Sequence, residues 1–377
     1  MSYKSLAMIA VAVVLAAPGA SVLARDAEPA AGAATRVLEL DALTGVETLL
    51  GRIAERRVVY VGEHHDRYAD HLDQLAVIRG LHARGKPLAI GLECFQQPFQ
   101  IHLDAYVAGA IDEAQMLRRT EYFERWRFDY RLYRPILRFA REHEIPLIAL
   151  NLDQALTRRV GEVGIDGLDP RQRAALPAAL ARPDAAYRER LREIFAQHPF
   201  GDERDLDHFI EVQLLWDEGM AARAADYLAA NPERTLVVLA GAGHLEYGIG
   251  IPDRVERRLG LPGAVLLNGE GRPVEPPAAD FYLYPAPAEL PPAGLLGVQL
   301  GEGEEGAGTR VVGFAADSGA QAAGVAVGDR ILALAGRAVA DYADIRLALL
   351  DRVPGERVAV TVLRGAEERR DLEVELR

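Results

Sequence analysis

Residues able to act as acids, bases or ligands follow directly on four short apolar runs. Val59-Tyr60-Val61 leads into Gly62-Glu63-His64-His65-Asp66, and Ile90-Gly91-Leu92 into Glu93. Ile148-Ala149-Leu150 leads into Asn151, and Val238-Leu239-Ala240 into Gly241-Ala242-Gly243-His244. Brought together, His65, Glu93 and His244 are a set that binds a divalent metal with one position left for water, the basis of a peptide or ester hydrolase. The same groups also work without a metal, as a base with Glu63 or Glu93 as the orienting carboxylate. Both chemistries stay open at this point. Asp66 and Asp70 read equally as helix caps, and Cys94, beside Glu93, reads as a buried thiol.

These residues can meet only if the runs before them are neighbouring strands. The runs Arg57–Val61, Leu88–Leu92, Pro146–Leu150 and Leu236–Ala240, with a weaker one at Ala264–Leu267, are apolar throughout. Helical patterns fill the intervals, at His71–Arg84, Tyr130–His143 and Arg204–Asn231. Uninterrupted apolar strands alternating with helices predict an α/β fold, a mostly parallel sheet flanked by helices. Sites in such sheets form at the carboxyl ends of the strands. The spacing therefore predicts that Glu63, His64, His65, Glu93, Asn151 and His244 share one sheet edge.

The chain has 377 residues, 50% hydrophobic and 26% charged, with a net charge of −13 and one cysteine. That length suits two domains. The acidic balance argues against a nucleic-acid partner. One cysteine excludes an internal disulfide, a cysteine-rich zinc site and covalent haem attachment through paired cysteines. Lys4, the apolar run Leu6–Ala17, Pro18-Gly19 and Val22-Leu23-Ala24 read as a secretory signal over residues 1–24, followed by a leader over 25–36. A periplasmic protein is expected, or a membrane-associated one if the signal is retained. No Cys follows the run, so no lipid anchor is expected. Residues 272–294 are rich in Pro and read as a linker after an α/β domain at 37–271, or in part, at Phe281–Tyr284, as an edge strand.

Residues 295–377 resemble a PDZ domain of the bacterial periplasmic-protease type, which makes the second domain small and mainly β. The resemblance rests on Gly294-Leu295-Leu296-Gly297-Val298, Ser318-Gly319 through Gly324-Val325, and Val327-Gly328-Asp329-Arg330-Ile331-Leu332. It implies that Leu295, Leu296 and Gly297 receive the carboxylate of a peptide C-terminus. The peptide would then lie between Val298–Leu300 and a helix carrying Ile345 and Leu349.

From about Leu40 to Gly260 the chain resembles the ChaN-like haem-binding family, within the Tiki/TraB/erythromycin-esterase superfamily. The matching pieces include Val59–Asp66, Gly91–Phe95, Trp126–Tyr130, Tyr133–Leu137, Gln213–Ala221 and Gly241–Leu245. Superfamily enzymes carry paired GxxH motifs, here Gly62–His65 and Gly241–His244, with a Glu matching Glu93. The ChaN-like branch implies iron uptake, haem held through a tyrosine, and a homodimer with paired haems. Tyr130 and Tyr133 are the tyrosines in a suitable setting. Trp126 and Phe128 offer flat contact there, and Arg127, Arg131 and Arg134 could pair haem carboxylates. Three functions follow: a haem-binding protein, a metal-dependent hydrolase, or a noncatalytic adaptor using the PDZ module. Whether the protein is an enzyme is left open by the sequence.

Overall fold

The computed structural model describes residues 43–178, 180, 183–196, 203–301 and 308–377, so the expected signal and leader lie outside the described residues. The described chain divides into two compact units. One runs to Glu93 and resumes over Ile145–Pro287; the other combines Cys94–Glu144 with Ala288–Arg377.

The first unit is built on a six-stranded sheet. Its strands are β1 (Val58–Glu63), β2 (Leu88–Gln96), β3 (Leu147–Asn151), β4 (Thr235–Gly241), β5 (Ala264–Asn268) and β6 (Phe281–Leu283), in the order β3-β2-β4-β1-β5-β6. The pairings of β4 with β1 and β2, of β1 with β5, and of β5 with β6 are parallel. Strands β1, β2, β4 and β5 are buried at every residue, which explains why they read as unbroken apolar runs. Helices Tyr68–Ala83, Gln154–Val163, Glu203–Ala230 and Ile251–Leu259 connect them. Met220, Ala224 and Leu228 of the long helix pack on Tyr60, Leu236 and Val238 of the sheet. The Pro-rich stretch is not all linker, because Phe281–Leu283 forms the edge strand on β5.

The second unit joins two stretches far apart in the chain. Residues 94–144, which the sequence assigns to the α/β domain, pack with the C-terminal module. They form helices at Gln100–Val107, Glu113–Arg119 and Tyr130–Glu142. Asp112 and Gln115 close a reciprocal cap on the second of these, and Asp129 caps the third. The module itself is antiparallel: β7 (Val298–Leu300), β8 (Thr309–Phe314), β9 (Arg330–Leu334), β10 (Arg337–Ala338), β11 (Arg357–Arg364) and β12 (Glu368–Glu375). Their order is β12-β11-β9-β8-β7, with β10 folded back on β9. Helix Tyr342–Leu349 covers the sheet and buries Ile345 and Leu349 with Leu296 and Val311.

Arginines join the two parts of this unit. Arg118 makes a two-pronged contact with Asp341, at 2.5 and 2.6 Å. Arg134 joins Glu113 to Asp351, Arg131 donates to the Pro291 carbonyl, and Arg346 lies 5.4 Å above the Phe123 ring. Among the described residues, no helix is long and apolar enough to cross a membrane.

Candidate functional site

The site lies where β4 and β1 end beside Glu93 of β2. Glu63 closes β1 in register with Gly241, the last residue of β4, and β2 brings Glu93 to the other flank of β4. Gly241 is the residue that lets the two sides meet. A Cβ there would stand 2.9 Å from Cε1 of His65 and 3.6 Å from Oε2 of Glu93. Its N–H donates to Oε2 of Glu93 at 2.7 Å.

Two imidazoles, each tied to its own carboxylate, flank Glu93. His65 Nδ1 lies 2.9 Å from Oε1 of Glu63, whose other oxygen accepts from Nε2 of Gln74 at 2.7 Å and lies 3.2 Å from Nδ1 of His71. His244 Nδ1 lies 2.6 Å from Oδ1 of Asp217, and Tyr187 donates its hydroxyl to Oδ2 of the same carboxylate at 2.7 Å. His244 Nε2 faces Oε1 of Glu93 at 3.5 Å, and Trp216 stands edge-on to the ring. Burial works against charge on both rings, but the surrounding carboxylates outweigh it. Glu93 and Glu63 leave the pKa of His65 raised, and Glu93 and Asp217 take His244 up to about 9. The His244 ring therefore holds its proton at neutral pH.

Glu63, His65, Glu93 and His244 thus come together as the sequence predicts. The metal reading of His65, Glu93 and His244 finds no support. Among the described residues, no three His, Cys, Asp or Glu side chains are placed to hold a metal ion. His244 turns Nε2 toward Oε1 of Glu93 at 3.5 Å, so imidazole and carboxylate face each other as an ion pair. Asn151 serves the backbone, donating to the Glu93 carbonyl and accepting from the Leu152 N–H.

His64 points elsewhere. Its N–H and Nδ1 both meet Oδ2 of Asp70, at 2.9 and 3.0 Å, and Asn268 donates to the other Asp70 oxygen at 2.5 Å. Nε2 lies 3.3 Å from Nη2 of Arg272. Arg272 also pairs with Glu246, which pairs in turn with Arg190. Asp217, Gln74, Tyr187 and Arg272 were not foreseen. The signal for Asp217 was present: Asp217-Glu218 interrupts an otherwise apolar helical stripe. Glu218, fully buried, is held by Arg254 and Arg258.

The tyrosines singled out earlier are enclosed. Tyr130 is wholly buried and donates to Glu113, and burial and then Glu113 push its pKa well above the usual phenol range. Tyr133 is buried too, its hydroxyl accepting from Trp126 Nε1 at 3.2 Å. Arg134 is engaged by Glu113 and Asp351, and Arg127 is exposed with a backbone φ of 68°.

In the C-terminal module, Gly297 has φ +73°, and a Cβ there would lie 2.8 Å from Cα of Ser318. The loop before β7 therefore requires glycine. Leu295 is half exposed, and Leu296 is buried, its carbonyl accepting from Ser318 Oγ. Val298 packs partly buried against the core that holds Ile345 and Leu349.

Comparison with known proteins agrees with this architecture. The family described as haem-binding uptake, Tiki superfamily, ChaN matches residues 49–255, and the PDZ domain family matches residues 294–376. The structure titled as cofacial haem binding to ChaN of Campylobacter jejuni is 17% identical, with a TM-score of 0.51. The match covers 63% of this chain and 90% of that one, and it shows the shared fold. The PDZ domain of HtrA3, solved with a phage-derived ligand, is 23% identical over 22% of this chain and 85% of that one, with a TM-score of 0.19. Protein RETICULATA-RELATED 5, chloroplastic, from Arabidopsis thaliana is 27% identical over 62% of this chain, which spans 35% of that protein's length. With more than half of its length matched by one family, this chain belongs to the ChaN family of haem-binding uptake proteins in the Tiki superfamily, and it carries a C-terminal PDZ domain.

Proposed function

We propose that this protein binds haem on its α/β unit, in the course of iron or haem uptake in the periplasm. Its PDZ module would receive a peptide terminus. The observation that carries the haem reading is the family match over residues 49–255, which includes Glu63, His64, His65, Glu93 and His244.

The residues at the carboxyl edge of the sheet fit the group. A haem brings a flat apolar ring and two carboxylates to a protein, and the iron supplies its ligand-binding and redox chemistry. Arg272 is substantially enclosed, and its Nε finds no acceptor, so this guanidinium is incompletely satisfied. Tyr247 and Tyr284, 42% and 50% exposed, lie in the same region with Val274. Tyr247 bonds Glu275 and stacks under Arg190, and the Tyr284 ring presses on Gly269 of the loop that carries Arg272. Titrating the full chain with ferric haem should give a shifted Soret band that saturates. Absorbance that only sums free haem and protein would overturn the reading.

For the PDZ module, the support is that β7 is an edge strand, open to pairing with an added strand, and that the Gly297 turn precedes it. A labelled peptide with a free C-terminal carboxylate should bind, and its C-terminal amide should not. Equal binding of both would remove the carboxylate from the account.

The two carboxylate-backed imidazoles around Glu93 favour a second reading, metal-independent acid–base hydrolysis of an ester or peptide. His244, protonated and oriented by Asp217, would give its proton to a leaving group, and Glu93 would accept one from water. That reading requires His244 to keep its proton at neutral pH, which a titration of the imidazole measures.

A further inference from the structure

We propose that Gln74 is a positioning residue: acting through Glu63, it keeps the proton of His65 on Nδ1 and turns Nε2 into the atom that exchanges protons with a reactant. The proposal rests on the acid–base reading above and goes beyond it, since that reading employs His244 and Glu93 alone.

Gln74 lies on the helix Tyr68–Ala83 that follows β1, and it is fully buried. Its Nε2 sits 2.7 Å from Oε2 of Glu63 and 3.2 Å from the Val61 carbonyl. Both neighbours are oxygens, which fixes the amide: Nε2 donates, and Oε1 turns to Nδ1 of His71 at 3.1 Å. His71 braces the same pair from one turn earlier on the helix. Its Nδ1 stands 3.2 Å from Oε2 of Glu63, and its Nε2 stands 3.2 Å from the His65 carbonyl. One oxygen of Glu63 thus faces nitrogens of Gln74 and His71, and the other, Oε1, faces Nδ1 of His65 at 2.9 Å. A carboxylate accepts hydrogen bonds and cannot donate them, so Nδ1 of His65 carries a proton. When that ring is neutral, its lone pair is on Nε2.

That nitrogen is turned to the end of β4, where a Cβ on Gly241 would lie 3.0 Å from it. Burial follows the same order. Gln74 and His71 are closed to solvent, the Glu63 side chain is nearly so, and the His65 side chain is 16% exposed. Of these four, His65 is the one a reactant can touch. Burying an amide and an imidazole is costly unless their hydrogen bonds are met, and here those bonds converge on the Glu63–His65 pair.

The test reads the side-chain nitrogen NMR shifts of His65 in the full chain, above its titration, where the ring is neutral. Wild type should show Nδ1 protonated and Nε2 unprotonated. Gln74→Leu should give both tautomers. Glu63→Gln should invert the ring, because Gln74 claims the oxygen of the new amide and leaves its NH2 toward Nδ1, which moves the proton to Nε2. Circular dichroism checks the fold of each variant, and Glu63→Gln carries the test if Gln74→Leu does not fold. The wild-type pattern in a folded Gln74→Leu or in Glu63→Gln would overturn the proposal, and so would a neutral wild-type ring protonated on Nε2. Hydrolysis of p-nitrophenyl acetate tests the reading beneath it. The wild type should cleave this ester, and Glu63→Gln should lose about 10²-fold or more in kcat. An inverted ring with unchanged kcat would overturn the use of Nε2. No cleavage by wild type would overturn the acid–base reading, while the NMR would still decide what Gln74 does to His65.

Discussion

His244 ordinarily titrates at 6.5, and here it is taken up to about 9 by Glu93 and Asp217 against the pull of burial. A pKa raised on folding stabilises the fold fully below the unfolded value and loses that contribution as pH rises through the folded one. Stability should therefore fall between about pH 6.5 and 9, by about 3 kcal/mol if His244 acts alone. Asp217→Asn removes one of the two charges, so the imidazole titration followed by NMR should move down toward 6.5, and the stability slope should move with it. An unmoved titration would detach Asp217 from the ring. The identities of Glu63, His65, Glu93 and His244 were legible in the sequence because each follows an apolar strand at once. For Asp217 the sequence showed only a polar break in a helical stripe, which does not say that this face of the helix meets the sheet edge.

At the scale of elements, the ends of strands do the positioning. Gly241 ends β4 between Glu93 and His65, and it leaves the space in which they meet. Gly241→Ala places a methyl 2.9 Å from the His65 ring. That overpacking should cost about 1–3 kcal/mol in urea unfolding and shift the His65 titration. A variant as stable as wild type, with His65 unmoved, would show that the ring can step aside freely. The five strands foreseen from β-branched runs all form, because each is buried on both faces and so carries its signal in every residue. What residues 94–144 pack against was not legible, for the converse reason. Their helices show amphipathic patterns, and such a pattern records that a face is covered but not by what. The covering partner begins at residue 288, far along the chain.

For the molecule as a whole, that pairing makes the C-terminal segment more than an appended module. Arg118–Asp341, Arg134–Asp351 and Arg346 above Phe123 bind it to the helices of residues 94–144. Truncation after Pro287 strips those contacts away. The remaining chain should unfold several degrees lower than the full chain by calorimetry, and the helices of residues 94–144 should be cut first by protease. An unchanged midpoint and cleavage pattern would show that those helices stand alone. The Arg118–Asp341 pair is substantially exposed, so Arg118→Ala by itself should cost only about 0.5–1 kcal/mol.

The split course of the second unit also sets a timetable for synthesis. Ribosomes add about 5–20 residues each second, and residues 145–287 separate Glu144 from the start of the unit's second part. The helices of residues 94–144 therefore emerge roughly 7–29 s before the start of the partner that covers them. During that wait, Phe123 and the faces around Arg118 and Arg134 lie open to whatever holds nascent chains. A nascent chain halted before residue 288 would be the form most in need of a chaperone.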